Sequence, residues 1–119
     1  MRKIIFDGDP GIDDVLAILL ALQSEKIKLL GITTVAGNVD VDKGTKNVLS
    51  LLEYLKIENV LVARGSEKPL YKKLENAEFV HGEDGLGNIN LPSPKFKHIS
   101  ESAADFLIDM VKKYPDEIT

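Results

Sequence analysis

Apolar residues in this chain come in short blocks, and the spacing inside the blocks alternates between two kinds. Residues 3 to 7, "KIIFD", form a brief apolar run that predicts a short buried strand. Residues 12 to 22, "IDDVLAILLAL", are apolar nearly all round, which predicts a helix buried on several sides. "IKLLGITTV", from Ile27, is rich in β-branched residues and predicts the next strand. From Val41 the positions Val41, Thr45, Val48, Leu52 and Leu55 recur at helical spacing, with Asp42 and Lys46 as an i,i+4 pair on the outer side. "NVLVA", from Asn59, predicts a third strand. Residues 64–98 then break the pattern with charges, Pro69, Pro92, Pro94 and a glycine cluster, and predict a long loop. A last helix follows, with Ser100 or Ser102 as its cap and Ala103, Phe106, Leu107, Met110 and Val111 as its apolar stripe.

The order β-α-β-α-β-loop-α predicts an α/β fold, a Rossmann-like parallel sheet with helices on both faces and right-handed crossovers. Ligands of such sheets bind beyond the carboxyl ends of the strands. Residues 7–14, the "TTVAGN" segment and the long loop all follow strands, so they should gather on that edge. The final "YPDEIT" reads as a Tyr-Pro break and the start of another strand, so the 119 residues are expected to be the N-terminal part of a longer domain.

Composition narrows the function. Hydrophobic residues make up 44% and charged residues 29%, an ordinary soluble balance. The net charge of -4 gives no support for a nucleic-acid or anionic-membrane partner. Cysteine is absent, which rules out thiolate metal sites and fits a reducing compartment. The apolar run behind Arg2 and Lys3 is cut by Asp7, too early for a signal peptide core. A cytoplasmic location is the expectation.

The chemistry is concentrated in "DGDPGIDD", where Asp7, Asp9, Asp13 and Asp14 crowd the end of the first strand. Part of this has a structural account: Asp9 and Pro10 suit an N-cap and first helical position, and the helix dipole favours acids in the first turn. That account falls short in magnitude. Two carboxylates ~4 Å apart at an effective dielectric of ~20 repel by about 4 kcal/mol, whereas the dipole returns about 0.3–1 kcal/mol per charge. A proton or a hard dication, Ca²⁺ or Mg²⁺, resolves the rest. Asp7 and Asp9, two apart in an extended segment, should point the same way. An EF-hand does not fit, because its glycine and glutamate positions, counted from Asp7, hold Ile12 and Ile18. Neither a P-loop nor a dinucleotide-binding glycine motif occurs. With two histidines, His81 and His98, and no cysteine, zinc is not expected.

The motif "DGDPGIDD" resembles the Asp-x-Asp-Pro-Gly-x-Asp-Asp signature of the inosine–uridine-preferring nucleoside hydrolase family. The likeness continues through "LLGITTVAGNV" (29–39), "GSEKPL" (65–70) and "HGEDGLG" (81–87), in the family's order. The resemblance implies a Ca²⁺-dependent hydrolase that cleaves a ribonucleoside into base and ribose. It implies Asp9 as metal ligand and general base, Asp14 as a second, bidentate ligand, and Asp13 and Asn38 as ribose-binding groups. It also implies Asp7 as an outer support that orients the site, and His81 near the sugar or base. The family's catalytic domain is roughly twice this length or more. Its further calcium ligands, a threonine carbonyl and an aspartate, fall outside the matched motifs. The resemblance therefore implies that the chain alone is inactive or nearly so, exposes an apolar edge or face, and has a C-terminal half or further copies of itself as its macromolecular partner.

Two other readings compete. A haloacid-dehalogenase-like phosphatase would use Asp7 as nucleophile and Asp9 as acid, with Mg²⁺ and with Thr33 or Thr34 on the phosphate; Pro10 and Gly11 depart from that family's pattern. A non-catalytic fragment, or half of a split protein, is the other.

Overall fold

In a computed structural model, all residues from Met1 to Thr119 are described. Three parallel strands, β1 (Arg2–Gly8), β2 (Ile27–Thr34) and β3 (Leu61–Arg64), lie in the order β1-β2-β3. Helix α1 (Ile12–Gln23) links the first two and α2 (Val41–Tyr54) the second two. After β3 come the long loop, with a single helical turn α3 (Glu78–His81), and then α4 (Ala103–Lys113).

Each face of the sheet has its own core. Ile18 of α1 and Val48, Leu49, Leu51 and Leu52 of α2 pack with Leu29, Ile32 and Val62 on one face. Ala103, Phe106 and Met110 of α4 pack with Leu30 and Ala63 on the other. Full burial of a side chain such as Ile18 or Leu52 is worth about 1.5–3 kcal/mol. The helices therefore cover both faces, as the alternating pattern implied.

Beyond α4 the chain returns to the free edge of β1. Ile118 bridges Lys3 in parallel, Thr119 N–H donates to the Lys3 carbonyl at 3.0 Å, and Ile5 N–H donates to the Thr119 carbonyl at 3.1 Å. The start of strand pairing expected at "YPDEIT" is thus present. β1 becomes an inner strand with neighbours reached over opposite faces, the crevice where open α/β sheets bind ligands.

The β1–β2 register slips by one residue, pairing Ile4 with Leu29 but Ile5 with Gly31. Leu30 is the extra residue of a bulge, rare between parallel strands. Leu30 faces α4 and Ile32 faces α1 and α2, so the alternation changes phase there. Beyond the bulge Thr33 bonds Asp7, whereas Thr34 shares a hydrogen bond with Thr45 of α2 at 2.7 Å.

Several expectations need correction. α1 is buried on one face only: Leu16 is 62% and Leu20 72% exposed, and Ile12 is also exposed. Its all-round apolar character leaves an uncovered ridge at i, i+4 and i+8. Asp9 does not cap α1. The N-cap is Gly11, with no side-chain cap bond from that residue, because the Asp9 carboxylate turns to the loop after β2. Asp42 pairs not with Lys46 but with Arg64 at the end of β3, 2.7 Å away. That pair is exposed, so it contributes little to stability. In α4, Ser102 is the cap, accepting from Asp105 N–H, while Val111 of the expected stripe is 56% exposed.

The loop 64–98 is better ordered than its composition suggests. Ser50 Oγ donates to the Pro92 carbonyl, and Glu53 Oε1 accepts from Lys95 and Phe96 N–H, so its second half is fastened along α2.

Candidate active site

Four segments converge beyond the carboxyl end of β1: the turn 8–11, the first turn of α1, the loop after β2, and residues 77–90 of the long loop. Asp9 is fixed first. Its Oδ2 accepts the Asn38 backbone N–H at 2.8 Å, and the Asn38 side-chain amide reaches the Asp9 carbonyl at 3.4 Å. Gly37 is needed for this approach, since a Cβ there would fall 2.7 Å from both Cβ and Cγ of Asp9. The loop continues into Asp40, whose carboxylate accepts from Lys43 N–H at 2.8 Å and caps α2. One turn thus starts a helix and positions a catalytic candidate.

Asp14, on the first turn of α1, accepts a hydrogen bond from the Asp9 backbone N–H. Its Oδ2 is buried and has no hydrogen-bond partner. An orphaned carboxylate oxygen costs about 1–3 kcal/mol or more. Burial, then Asp13 and then Asp9, push the Asp14 carboxyl from its ordinary value up to about 6; the Asp9 backbone N–H and His81 oppose the shift. Asp13, beside it, is 75% exposed and free to meet a ligand. A buried oxygen without a donor, among like charges, suits an oxygen-seeking dication. No group of three or more His, Cys, Asp or Glu side chains comes together to hold a metal. Two carboxylates, Asp9 and Asp14, are by themselves too few oxygen ligands to hold such an ion.

His81 sits over the N-terminus of α1. Its Nδ1 accepts the Ile12 backbone N–H at 3.2 Å and lies 4.0 Å from Asp13 Oδ1. The loop behind it is organised by Asp84, whose carboxylate accepts N–H bonds from Leu86, Asn88 and Asn90 at 2.7–2.9 Å. Burial opposes ionisation of Asp84, but these three donors prevail and hold it below the usual carboxylate range. Asn47 of α2 anchors the loop by donating to the Asp84 carbonyl at 2.6 Å. Composition gave no hint of Asp84's role, though an Asp ahead of Gly85, Asn88 and Asn90 was the available signal.

Asp7 stands apart from the others. It does not turn the same way as Asp9: its Oδ1 accepts from Thr33 Oγ1 at 2.5 Å, and it lines a cleft of about 610 Å³ on the α4 side with Arg64, Ser66 and Ser102. The equal direction expected from two-residue spacing fails because β1 ends at Gly8. Asp9, Asp13 and Asp14 do not line that cleft. The phosphatase reading loses its phosphate ligands here, because Thr33 and Thr34 both have their hydroxyls engaged inside the protein.

Known proteins bear on this arrangement. The family profile described as inosine-uridine preferring nucleoside hydrolase matches residues 4–119. Uridine nucleosidase 1 of Arabidopsis thaliana is 48% identical over 119 residues, covering 99% of this chain and 35% of its own length. The inosine-uridine preferring nucleoside hydrolase of Leishmania major is 44% identical, with 99% and 38% covered. Among solved structures, the purine-preferring ribonucleoside hydrolase from Gardnerella vaginalis superposes with a TM-score of 0.92 at 38% identity, over 98% of this chain and 38% of that one. The chain spans a little over a third of the length of these relatives. With its motifs, its sheet and nearly its whole length matched, the chain belongs to the inosine-uridine preferring nucleoside hydrolase family.

Proposed function

We propose that this chain carries the carboxylate half of a nucleoside hydrolase site, in which a purine or pyrimidine ribonucleoside and water become free base and ribose. The supporting observation is the pair Asp9 and Asp14: one carboxylate held by Asn38, the other buried with an oxygen that has no donor. The family assignment makes inosine and uridine the substrates to test first.

Asp9 and Asp14 would hold Ca²⁺, which when bound supplies Lewis acidity to a water and an anchor for ribose hydroxyls. The remaining ligands would come from other residues of the family's longer domain. Asp9 acts as general base, with the Asn38 N–H fixing its Oδ2 so that the other oxygen can take a proton. Exposed Asp13 accepts a hydrogen bond from a ribose hydroxyl, and the Asn38 side chain offers a second polar contact to the sugar. As the N-glycosidic bond breaks, positive charge develops on the ribosyl ring, and the carboxylates around it lower the energy of that charge. Asp7 supports the sheet edge behind the site. His81, over the N-terminus of α1, would lie near the sugar or base. Such chemistry serves ribonucleoside breakdown and base salvage, and a reducing, cytoplasmic setting fits a chain without cysteine.

The test is ribose release from inosine and uridine by a polypeptide in which this chain is joined to the rest of a family domain. Asp9→Asn should lower the rate about 10²–10⁴-fold, and calcium chelation should lower it as well. Undiminished cleavage by Asp9→Asn would remove the basis of the proposal. The 119 residues alone should release little or no ribose.

A further inference from the structure

We propose that His81 is a positioning residue that acts through α1: as a neutral imidazole protonated at Nε2, it caps the helix from a distance and fixes the turn that carries Asp13 and Asp14. Three observations carry this. First, α1 lacks a cap of its own, since Gly11 has no side chain and Asp9 is turned toward Asn38. Second, the Ile12 N–H, one of the four donors a helix start leaves without a partner, finds its acceptor in His81 Nδ1 at 3.2 Å. Third, the ring lies so close to the turn that a Cβ at residue 11 would stand 2.6 Å from Nδ1 and 2.9 Å from Cε1. Glycine at position 11 leaves the space that the histidine fills.

The tautomer follows from the donor. A nitrogen that accepts from a backbone N–H carries no proton, so the neutral ring must carry its proton on Nε2. The His81 backbone is held from both sides. His81 N–H donates to the Ala77 carbonyl at 3.0 Å, and the His81 carbonyl accepts from Gly87 N–H at 2.7 Å. Gly87 belongs in turn to the stretch that Asp84 organises. The Asp84 loop therefore places the backbone that carries the ring, the ring bonds the first turn of α1, and that turn carries Asp13 and Asp14. This deepens the proposed function and rests on it only for what the two carboxylates do; the cap itself is independent of it.

The experiment uses the 119-residue chain without metal or nucleoside. Long-range ¹H–¹⁵N correlation at about pH 8, where an ordinary imidazole is neutral, reads the tautomer of His81. Hydrogen exchange at the Ile12 amide reads the cap in wild type, His81→Asn and His81→Gln. The asparagine amide oxygen sits close to where Nδ1 lies, whereas the glutamine amide is displaced toward Nε2. The expected result is an Nε2–H ring, Ile12 protection kept within about threefold in His81→Asn, and a loss of about tenfold or more in His81→Gln. An Nδ1–H ring, or equal Ile12 protection in wild type and His81→Gln, overturns the proposal. The tautomer is read on the unsubstituted chain, so a variant that fails to fold does not remove the test. Neither readout involves ribose release, so failure of the cap and failure of the hydrolase reading give different results.

Discussion

The Asp9 carboxylate occupies the space where residue 37 would otherwise place a side chain. A Cβ on Gly37 would lie 2.7 Å from Asp9 Cγ, and Asn38 N–H, one residue on, donates to Asp9 Oδ2 at 2.8 Å. Glycine at 37 and the amide at 38 thus work as a pair, one admitting the carboxylate and the other orienting it. Gly37→Ala must push Asp9 away or distort the loop. The expected cost is about 1–3 kcal/mol in urea denaturation, with calcium binding by a complete domain weakened about 10–100-fold. Unchanged calcium affinity, read by calorimetry, would count against this placement of Asp9.

Asp14 sets a pH dependence. Its folded carboxyl titrates at about 6, above the ordinary value of 3.8. Between those values the native chain binds more protons than the unfolded chain. Stability from this group is therefore fully present below about pH 4 and is lost as pH rises through about 6. Asp14→Asn should raise the urea midpoint at pH 7 and flatten its slope with pH in that window. Calcium should oppose the effect in wild type and do so less in the variant, because a ligand that binds only the native state stabilises it.

Asp84 has the opposite sign. Its folded carboxyl is held below the usual range, so the stability it contributes is present above about pH 4 and is lost as pH falls further. Asp84→Ala leaves three backbone N–H groups without their acceptor, with an expected loss of about 1–3 kcal/mol. Limited proteolysis should then cut first within residues 82–90, ahead of any site in the helices.

The bare ridge of α1 predicts a contrast within one helix. Leu16→Lys with Leu20→Lys should change the urea midpoint little, within about 0.5 kcal/mol, and should reduce self-association seen by light scattering. Ile18→Ala, between them and fully buried, should cost about 2–5 kcal/mol. If the lysine pair destabilises as much as Ile18→Ala, the ridge is not solvent-facing.

The elements were legible because each apolar block keeps one period. A β-branched run gave β2, a short apolar run gave β3, and helical spacing from Val41 gave α2 to within a residue. The closeness of Asp13 and Asp14 was legible from their adjacency on one helical turn, whereas Asp7 lies on the α4 side, apart from them. What stayed hidden depends on contacts between distant segments. The one-sided burial of α1 could not be read from a helix whose every face is apolar. That Asp9 is held by Asn38, that Arg64 takes Asp42 from Lys46, and that Thr33 draws Asp7 to the other face are choices among partners 22 to 29 residues away. Local spacing carries no information about them.

The extra residue at Leu30 decides which threonine meets which neighbour. In an uninterrupted strand, the face holding Leu29 would also hold Thr33, and Thr34 would turn toward Asp7. Flattening the bulge with Leu30 kept in the ladder would force that exchange, handing α2 the wrong hydroxyl or inverting the strand's first half. By dropping out of the ladder, one hydrophobic residue keeps the two edges of the crevice from trading places.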